Sequence, residues 1–176
     1  MDIGCAACLD VYYCEDSAKA CAVVFQLTAK QEVVSTYCST VRSIEAYKPG
    51  QFYKRELPCL MSVYETIKEG IGLLIVDGYV HLGLGRGLGL HLFEALNGQI
   101  PVIGVAKTQF KYAGKHMQVL RGKSKKPLYI SSIGLDLYQA ADIVRNLQGD
   151  ARIPHVLKQV DKLTRARDES PAQTRS

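Results

Sequence analysis

Short apolar runs, separated by polar and turn-forming residues, divide the chain into alternating strands and helices. Residues 3–14, 20–28 and 31–39 are rich in β-forming side chains and predict three strands that pair as an antiparallel meander. Further strands are expected at residues 73–76, 101–106 and 128–132. Of these, the first two are continuously apolar, which is typical of a sheet covered on both faces.

Helical periodicity appears between these strands. Apolar residues at positions 57, 60, 61, 64 and 67 recur with a period near 3.6 and predict a helix from about Tyr53 to Glu69. Shorter helices are expected over residues 88–96, 137–147 and 154–166. The alternation of strands and helices predicts an α/β fold, with a mixed β-sheet and helices on both faces.

Three acidic residues sit at or near the ends of apolar runs, namely Asp10, Glu56 and Asp77. Aspartate is a poor strand residue, and a buried carboxylate is costly unless it meets water or a cation. Several carboxylates at one site repel one another, and a bound Mg²⁺ relieves that repulsion. The pattern favours metal-dependent cleavage of a nucleic acid.

Composition indicates one globular domain, which we place at residues 1–166, followed by a polar tail over 167–176 that we expect to be disordered. No apolar run is long enough to cross a membrane, so a cytoplasmic protein without a membrane partner is expected. Residues 111–167 contain 12 Lys and Arg against 4 Asp and Glu. This basic half either faces phosphates or is a solvated surface.

Neither the cysteines nor the glycine-rich segment predicts a separate site. Cys5 and Cys8 have the spacing of a zinc or redox pair, but no second pair completes a zinc set. We expect the cysteines to be small core residues with reduced thiols. Glycines at 83, 85, 87 and 89 lack the spacing of a phosphate-binding loop and predict a flexible loop beside the active site.

Several segments together resemble the endonuclease V family, whose members are nucleases that act at inosine and have a ribonuclease H-like fold. The matching segments are LDV at 9–11, YKPG at 47–50, RELP at 55–58, VDG at 76–78, PVIGVAK at 101–107 and PLYIS at 127–131. They occur in the family's order and near its spacings. The resemblance covers roughly residues 6–165.

The resemblance implies a role for each matching residue in the chemistry. Asp10, Glu56 and Asp77 would bind Mg²⁺, for which Mn²⁺ would substitute, and the metal would activate water for attack on the phosphate. Lys107 falls where the family keeps a lysine near the scissile phosphate. The alternatives are that the carboxylates cap helices or face solvent, and that the lysine is an ordinary solvated residue at a strand end.

The resemblance also implies a base-binding region. Tyr47 opens the family's wedge segment, which includes Pro49. Gly78, Gly104 and Phe110 fall where the family lines the pocket for the extruded base, whereas His81 and Gly89 fall near family positions but out of register. These glycines and this tyrosine are otherwise ordinary turn residues. The basic cluster of Lys123, Lys125 and Lys126 would contact backbone phosphates without reading sequence.

The chain departs from the family at two places. Nine residues precede Asp10, so the family's helix before the first strand is expected to be absent. Leu135 follows Gly134 where the family has a metal-site histidine. Asp136 either replaces that histidine as a catalytic metal ligand or caps the following helix, and the sequence leaves both readings open.

The expected activity is hydrolysis of a phosphodiester bond on the 3′ side of a deaminated adenine in DNA or RNA, by a monomeric enzyme. One alternative is a nucleic-acid-binding domain of the same family with weak or no cleavage. Another is a protein that retains only the fold, against which the three acidic residues argue.

Overall fold

A computed structural model describes residues 4–42, 52–83, 85–111 and 114–166. The strands are β1 (Cys5–Tyr13), β2 (Ser17–Gln26), β3 (Val33–Arg42), β4 (Ile71–Asp77), β5 (His81–Leu82), β6 (Gly85–Arg86), β7 (Val102–Ala106), β8 (Met117–Val119) and β9 (Leu128–Ile133). The helices are α1 (Phe52–Tyr64), α2 (Leu88–Ala95), α3 (Leu137–Asn146) and α4 (His155–Arg165). Tyr47, Pro49 and the tail 167–176 lie outside the described residues.

One seven-stranded mixed sheet organises the molecule, in the order β3-β2-β1-β4-β7-β9-β8. Strands β1, β2 and β3 form the predicted antiparallel meander. Strand β1 pairs in parallel with β4, and β4 pairs in parallel with β7. The carboxyl ends of these three strands therefore meet at one edge of the sheet, whereas β9 runs antiparallel to β7 and ends at the opposite edge.

Side-chain alternation along the strands divides the core into two layers. Ala6 and Cys8 of β1 pack in the cluster that includes residues of α3 and α4. Ala7 and Leu9 pack in the cluster that includes residues of α1 and α2. Helices thus cover both faces of the mixed sheet, and the predicted α/β architecture is confirmed. In the described part of the chain, no helix is both long and apolar enough to span a membrane.

The structure differs from the predicted elements in a few short segments. The first helix ends at Tyr64 rather than near Glu69. The glycine-rich segment, predicted as a loop, contains β6, which pairs with β5 in a two-stranded hairpin. The basic segment after residue 111 contains the edge strand β8. These strands are two or three residues long, too short to show a two-residue period in the sequence.

One expectation about the cysteines is wrong. Cys21 and Cys38 are paired across β2 and β3 and form a disulfide, so these two thiols are not reduced in this structure. The remaining cysteines are free, and Cys8 and Cys59 are buried as small core residues. A sequence separation of 17 between the bonded cysteines gives no motif that would reveal the pairing.

Candidate active site

The strand register places Asp10 beside Asp77. Leu9 of β1 is paired with Val76 of β4 in a parallel ladder, so the next residue of each strand is Asp10 or Asp77. Adjacent strands lie about 4.8 Å apart, and residues at equivalent positions face the same side of the sheet. Cys8 and Ile75, two positions earlier, pack toward α4. The two carboxylates therefore lie side by side at the sheet edge, on the α4 face.

Glu56 reaches the same edge from α1, which packs on the other face of the sheet. Its side chain is 7% exposed, and its Oε2 atom has no hydrogen-bond partner. Burial, together with the charges of Asp10 and Asp77, raises the pKa of Glu56 to about 8. A buried carboxyl oxygen without a partner is unusual in a folded protein and requires an explanation.

Lys107 follows strand β7 and lies next to Asp77, at the edge of the carboxylate cluster. Its Nζ atom donates a hydrogen bond to Asp77 Oδ2 at 2.6 Å. Burial lowers the pKa of Lys107, but the hydrogen bond and charge of Asp77 outweigh burial, and the net pKa is raised. The ammonium therefore stays charged at physiological pH.

A fourth carboxylate, from Asp161 of α4, joins the cleft that Asp10, Asp77 and Lys107 line. Burial raises the pKa of Asp10 to about 6, and Asp77 and Asp161 contribute to that rise. Asp161 is not among the residues predicted from the sequence. One sign of it is readable in the sequence, because this acid lies four residues after Leu157 and three before Thr164, both buried on the inner face of α4.

Asp136 is not part of this cluster. It is the N-cap of α3, and its Oδ1 accepts hydrogen bonds from the backbone N–H groups of Tyr138 and Gln139. It follows β9, whose last residue, Ile133, is paired with Val102 at the beginning of β7. The opposite edge of the sheet holds the carboxylates, so the reading of Asp136 as a metal ligand is corrected and the capping alternative stands.

A buried guanidinium fixes the approach of α4 to the cleft. Arg121 is 5% exposed and donates hydrogen bonds to the carbonyls of Gly149 and Ala151, at 3.0 and 3.1 Å, and to that of Leu147. These carbonyls belong to the segment between α3 and α4. Arg121 thereby sets where α4 begins and, through the helix, where Asp161 lies.

A pocket of about 350 Å³ opens next to the carboxylates and shares Asp77 with them. Its lining includes Gly78 and Phe110, two of the predicted base-pocket residues. Tyr53, Leu82 and Arg86, which were not predicted, also line it. The ring of Phe110 is 44% exposed. An aromatic wall beside a glycine suits a flat purine, because the ring can stack while its edge approaches the backbone.

The glycines beneath this pocket are required by backbone geometry. Gly78 has φ +132°, which disfavours any side chain. A Cβ atom at Gly104 would lie 2.5 Å from the Gly78 carbonyl oxygen and 2.8 Å from Ser131 Oγ. Ser131 Oγ also accepts a hydrogen bond from the Val80 N–H at 2.9 Å. Gly104 therefore supports the floor of the pocket and does not line it.

Two other predicted substrate-binding residues lie outside the pocket lining. Gly89 is buried in the first turn of α2, packed against Val80. His81 belongs to the hairpin strand β5, opposite Arg86, with Gly114 close to its Cβ position. Leu82 and Arg86 of the same hairpin line the pocket instead.

The predicted phosphate-binding lysines lie on the loop between β8 and β9, and all three are exposed: Lys123, Lys125 and Lys126. Strand β9 begins beside the carboxyl end of β7, so this loop lies at the same sheet edge as the carboxylates. Arg152 connects the two, because its guanidinium donates to the carbonyls of Lys107 and Pro127. The basic loop is thereby held close to the cleft.

The donor set at this edge fits a hard divalent cation. All of its ligands would be carboxylate oxygens, which Mg²⁺ prefers, and the partnerless Oε2 of Glu56 is a buried atom that a cation would satisfy. As the side chains stand, the described residues contain no cluster of three or more His, Cys, Asp or Glu in a metal-binding arrangement. The ammonium of Lys107 supplies the positive charge beside Asp77.

The sequence matches the endonuclease V family over residues 2–162. It is 33% identical to endonuclease V of Pyrococcus horikoshii over 164 residues, which cover 92% of this chain and 73% of the relative.

Solved structures show the same fold. The crystal structure of endonuclease V from Streptomyces avermitilis has a TM-score of 0.76 and 26% identity, covering 93% of this chain and 81% of that one. Endonuclease V from Ciona intestinalis, in complex with a 24mer DNA containing an inosine followed by a ribo-adenosine, has a TM-score of 0.77 and 21% identity, covering 92% and 84%. The predicted ribonuclease H-like fold is confirmed.

Proposed function

This chain belongs to the endonuclease V family, a family of nucleases, and we propose that it hydrolyses a phosphodiester bond on the 3′ side of a deaminated adenine in DNA or RNA. The observation that carries the proposal is the shared position of Asp77, which belongs both to the carboxylate cleft and to the neighbouring pocket. A base in that pocket would place a nearby phosphate over the carboxylates. The complex of the Ciona relative with inosine-containing DNA supports hypoxanthine as that base.

We assign the metal site to Asp10, Glu56 and Asp77, with Asp161 as an additional carboxylate, and Mg²⁺ as the ion, for which Mn²⁺ would substitute. When bound, such an ion supplies an activated water and offsets charge on the phosphate. The raised pKa values of Asp10 and Glu56 support the assignment, because they record burial and mutual repulsion that a cation would relieve.

The remaining roles are carried by the protein's own groups. Lys107 would exchange its contact with Asp77 for the phosphate and stabilise the departing 3′ oxygen. Gly78 and Phe110 would hold the hypoxanthine, and the Tyr47–Pro49 segment would fill the gap that the base leaves. The loop with Lys123, Lys125 and Lys126 would neutralise backbone phosphates. We expect the monomer to be sufficient, because all these groups come from one chain.

The experiment that tests the proposal is incubation of inosine-containing and unmodified single and double strands, of DNA and RNA, with Mg²⁺ or Mn²⁺. Cleavage confined to inosine-containing strands is expected, and Glu56→Gln should abolish it. Cleavage of unmodified strands at an equal rate would remove the base pocket from the proposal. Equal cleavage by Glu56→Gln would remove the metal site.

A second function is a nucleic-acid-binding domain that cuts weakly or not at all. The Lys107–Asp77 ion pair favours it, because the ammonium already compensates one carboxylate of the cleft. Under this alternative, the protein would bind inosine-containing strands, and saturating Mn²⁺ would leave them intact. Isothermal titration with Mn²⁺, beside Asp10→Asn and Asp77→Asn, would separate the two functions.

A further inference from the structure

A second groove lies on the other side of Asp10 from the base pocket. It encloses about 300 Å³, and its lining includes Tyr12, Lys19, Thr40, Thr164 and Arg165. Tyr12, Lys19 and Thr40 form a row across β1, β2 and β3, because Tyr12 is paired with Lys19 and Lys19 with Thr40. The helix α4 supplies the facing wall.

This groove is continuous with the carboxylate cleft. Tyr12 is two residues after Asp10 on the same strand, so both side chains face α4. Thr164 lines the groove, and its Oγ1, which donates to the Asp161 carbonyl at 2.8 Å, lies 3.5 Å from Asp10 Oδ2. The base pocket, the cleft and the groove thus follow one another along the sheet edge, with Asp77 joining the first two and the Asp10–Thr164 contact joining the last two.

The lining has the chemistry of a nucleic-acid groove. Lys19 and Arg165 are cationic, Ser17 and Thr40 offer hydroxyl groups, and neither aspartate nor glutamate is among the groove's lining residues. Lys19 Nζ donates to the carbonyl of Ala166 at 3.0 Å, which holds its charge at the groove wall. Arg165 pairs with Asp161, so part of its charge is compensated on the cleft side.

The groove also contains an aromatic surface. The Tyr12 ring is 37% exposed, and the guanidinium carbon of Arg165 lies 4.8 Å from its centroid. Aromatic rings and guanidinium planes stack on any base, which gives affinity without sequence preference. Positive charge, hydroxyl groups and one stacking surface are the parts of a single-strand subsite.

We propose that this groove binds the nucleotides on the 3′ side of the scissile bond. The proposal rests on the proposed function, in which the modified base precedes the cut phosphate. A strand with that base in the Asp77 pocket and the phosphate at the carboxylates then continues past Asp10 into the groove. The groove therefore contacts the backbone and the base planes of the downstream strand, and it holds the 5′-phosphorylated product after cleavage.

The first test measures how strand length affects binding. Inosine-containing single strands that end two nucleotides after the inosine are the reference. They are compared with strands that carry six more nucleotides at the 3′ end, and with strands that carry six more at the 5′ end. Wild type should gain affinity from the 3′ extension. Tyr12→Leu should reduce that gain in affinity by about fivefold or more. Lys19→Gln should reduce the slope of the logarithm of the binding constant against the logarithm of the salt concentration by about 0.7, the value of one phosphate contact on a single strand. Lys30→Gln, an exposed lysine elsewhere, is the matched control.

The second test uses Cys14 as a reporter, because this exposed free thiol lines the groove. A strand extended on the 3′ side should slow alkylation of Cys14, and one extended only on the 5′ side should not. Cys5, at the other end of β1, is the internal reference in the same molecule. Equal protection by both strands, or none by the 3′-extended strand, would overturn the groove assignment.

The two hypotheses fail in different ways. If inosine-specific cleavage persists while Tyr12→Leu and Lys19→Gln bind both strand lengths as wild type does, the groove proposal is wrong and the proposed function stands. If no preference for inosine appears with any strand, the proposed function fails. Folding of each variant is checked by its thermal transition, so loss of binding is not mistaken for loss of structure.

Discussion

The ammonium of Lys107 lies 2.6 Å from Oδ2 of Asp77, which joins the end of β7 to the end of β4 at the edge where the carboxylates meet. Both side chains are about half exposed, so a phosphate can reach the pair from solvent. The contact is therefore an exchangeable one, unlike a buried ion pair.

Replacing Lys107 with glutamine should lower the rate of cleavage by about 10²-fold, because a positioned charge at the departing oxygen is lost. Binding of an inosine-containing strand should change much less. Single-turnover kinetics beside a binding titration measure the two effects, with Lys115→Gln as the control on an exposed lysine. A variant with wild-type turnover would show that Lys107 only balances Asp77.

The raised pKa of Glu56 predicts how stability depends on pH in the absence of divalent cations. Its pKa in the folded protein is about 8 against an ordinary value of 4.5, so the folded state binds more protons between these values. Stability should therefore fall as pH rises from about 4.5 to 8. Thermal unfolding in EDTA should show a higher Tm for Glu56→Gln than for wild type at pH 8.

Glu65→Gln, at an exposed position just after α1, is the control for that experiment and should follow wild type. Added Mn²⁺ should restore the wild-type Tm at pH 8 and have little effect on Glu56→Gln. A flat wild-type profile in EDTA would contradict the burial of an ionisable Glu56.

Asp161 and Asp136 should respond to mutation in opposite ways. Asp161→Asn removes a carboxylate of the cleft and should reduce cleavage and Mn²⁺ binding while the Tm changes little. Asp136→Ala removes a helix cap and should cost about 1 kcal/mol of stability with cleavage unchanged. Parallel measurements of Tm and cleavage rate on both variants check this. Loss of Mn²⁺ binding in Asp136→Ala would return that residue to the site.

Gly104→Ala should disturb the base pocket from below. The added Cβ atom would meet the Gly78 carbonyl at 2.5 Å, so the floor must move toward the pocket. We expect a smaller ratio of inosine to adenosine cleavage, read from matched oligonucleotides that differ at one base. Gly70→Ala, where a Cβ atom meets nothing within 4 Å, is the control. An unchanged ratio would show that Gly104 does not affect the preference for inosine over adenosine.

The Cys21–Cys38 disulfide should stabilise the pairing of the outermost strand β3 with β2. Closing a loop of 17 residues contributes about 3 kcal/mol by restricting the unfolded chain. Cys38→Ala should lower the Tm, and a reducing agent should lower the wild-type Tm to a similar value without affecting the variant. Equal transitions for the oxidised and reduced wild type would contradict this contribution.

Most of the sheet is predictable because its strands are long apolar runs with clear ends. The carboxylates of Asp10 and Asp77 are predictable for the same reason, since an acid that ends a buried run is visible without coordinates. The strands β5, β6 and β8 are not predictable, because a run of two or three residues shows no period and forms a strand only against a partner.

The identity of the fourth carboxylate could not be decided from the sequence. Asp136 follows β9, and the antiparallel direction of β9 places it at the end of the sheet away from Asp10 and Asp77. Strand direction depends on pairing across the whole sheet, which local patterns do not record. Neither the Arg121 contacts that hold the start of α4 nor the disulfide can be read from spacing, because both join segments far apart in the chain.

Because Glu56 approaches from one layer and Asp161 from the other, the cleft is assembled only when both layers are in place. Helix α4 follows the other described elements along the chain, so Asp161 joins the cleft only after α4 has been synthesised and packed on the sheet. A copy in which either layer is unfolded would therefore lack part of the proposed metal site, even with the rest of the sheet intact.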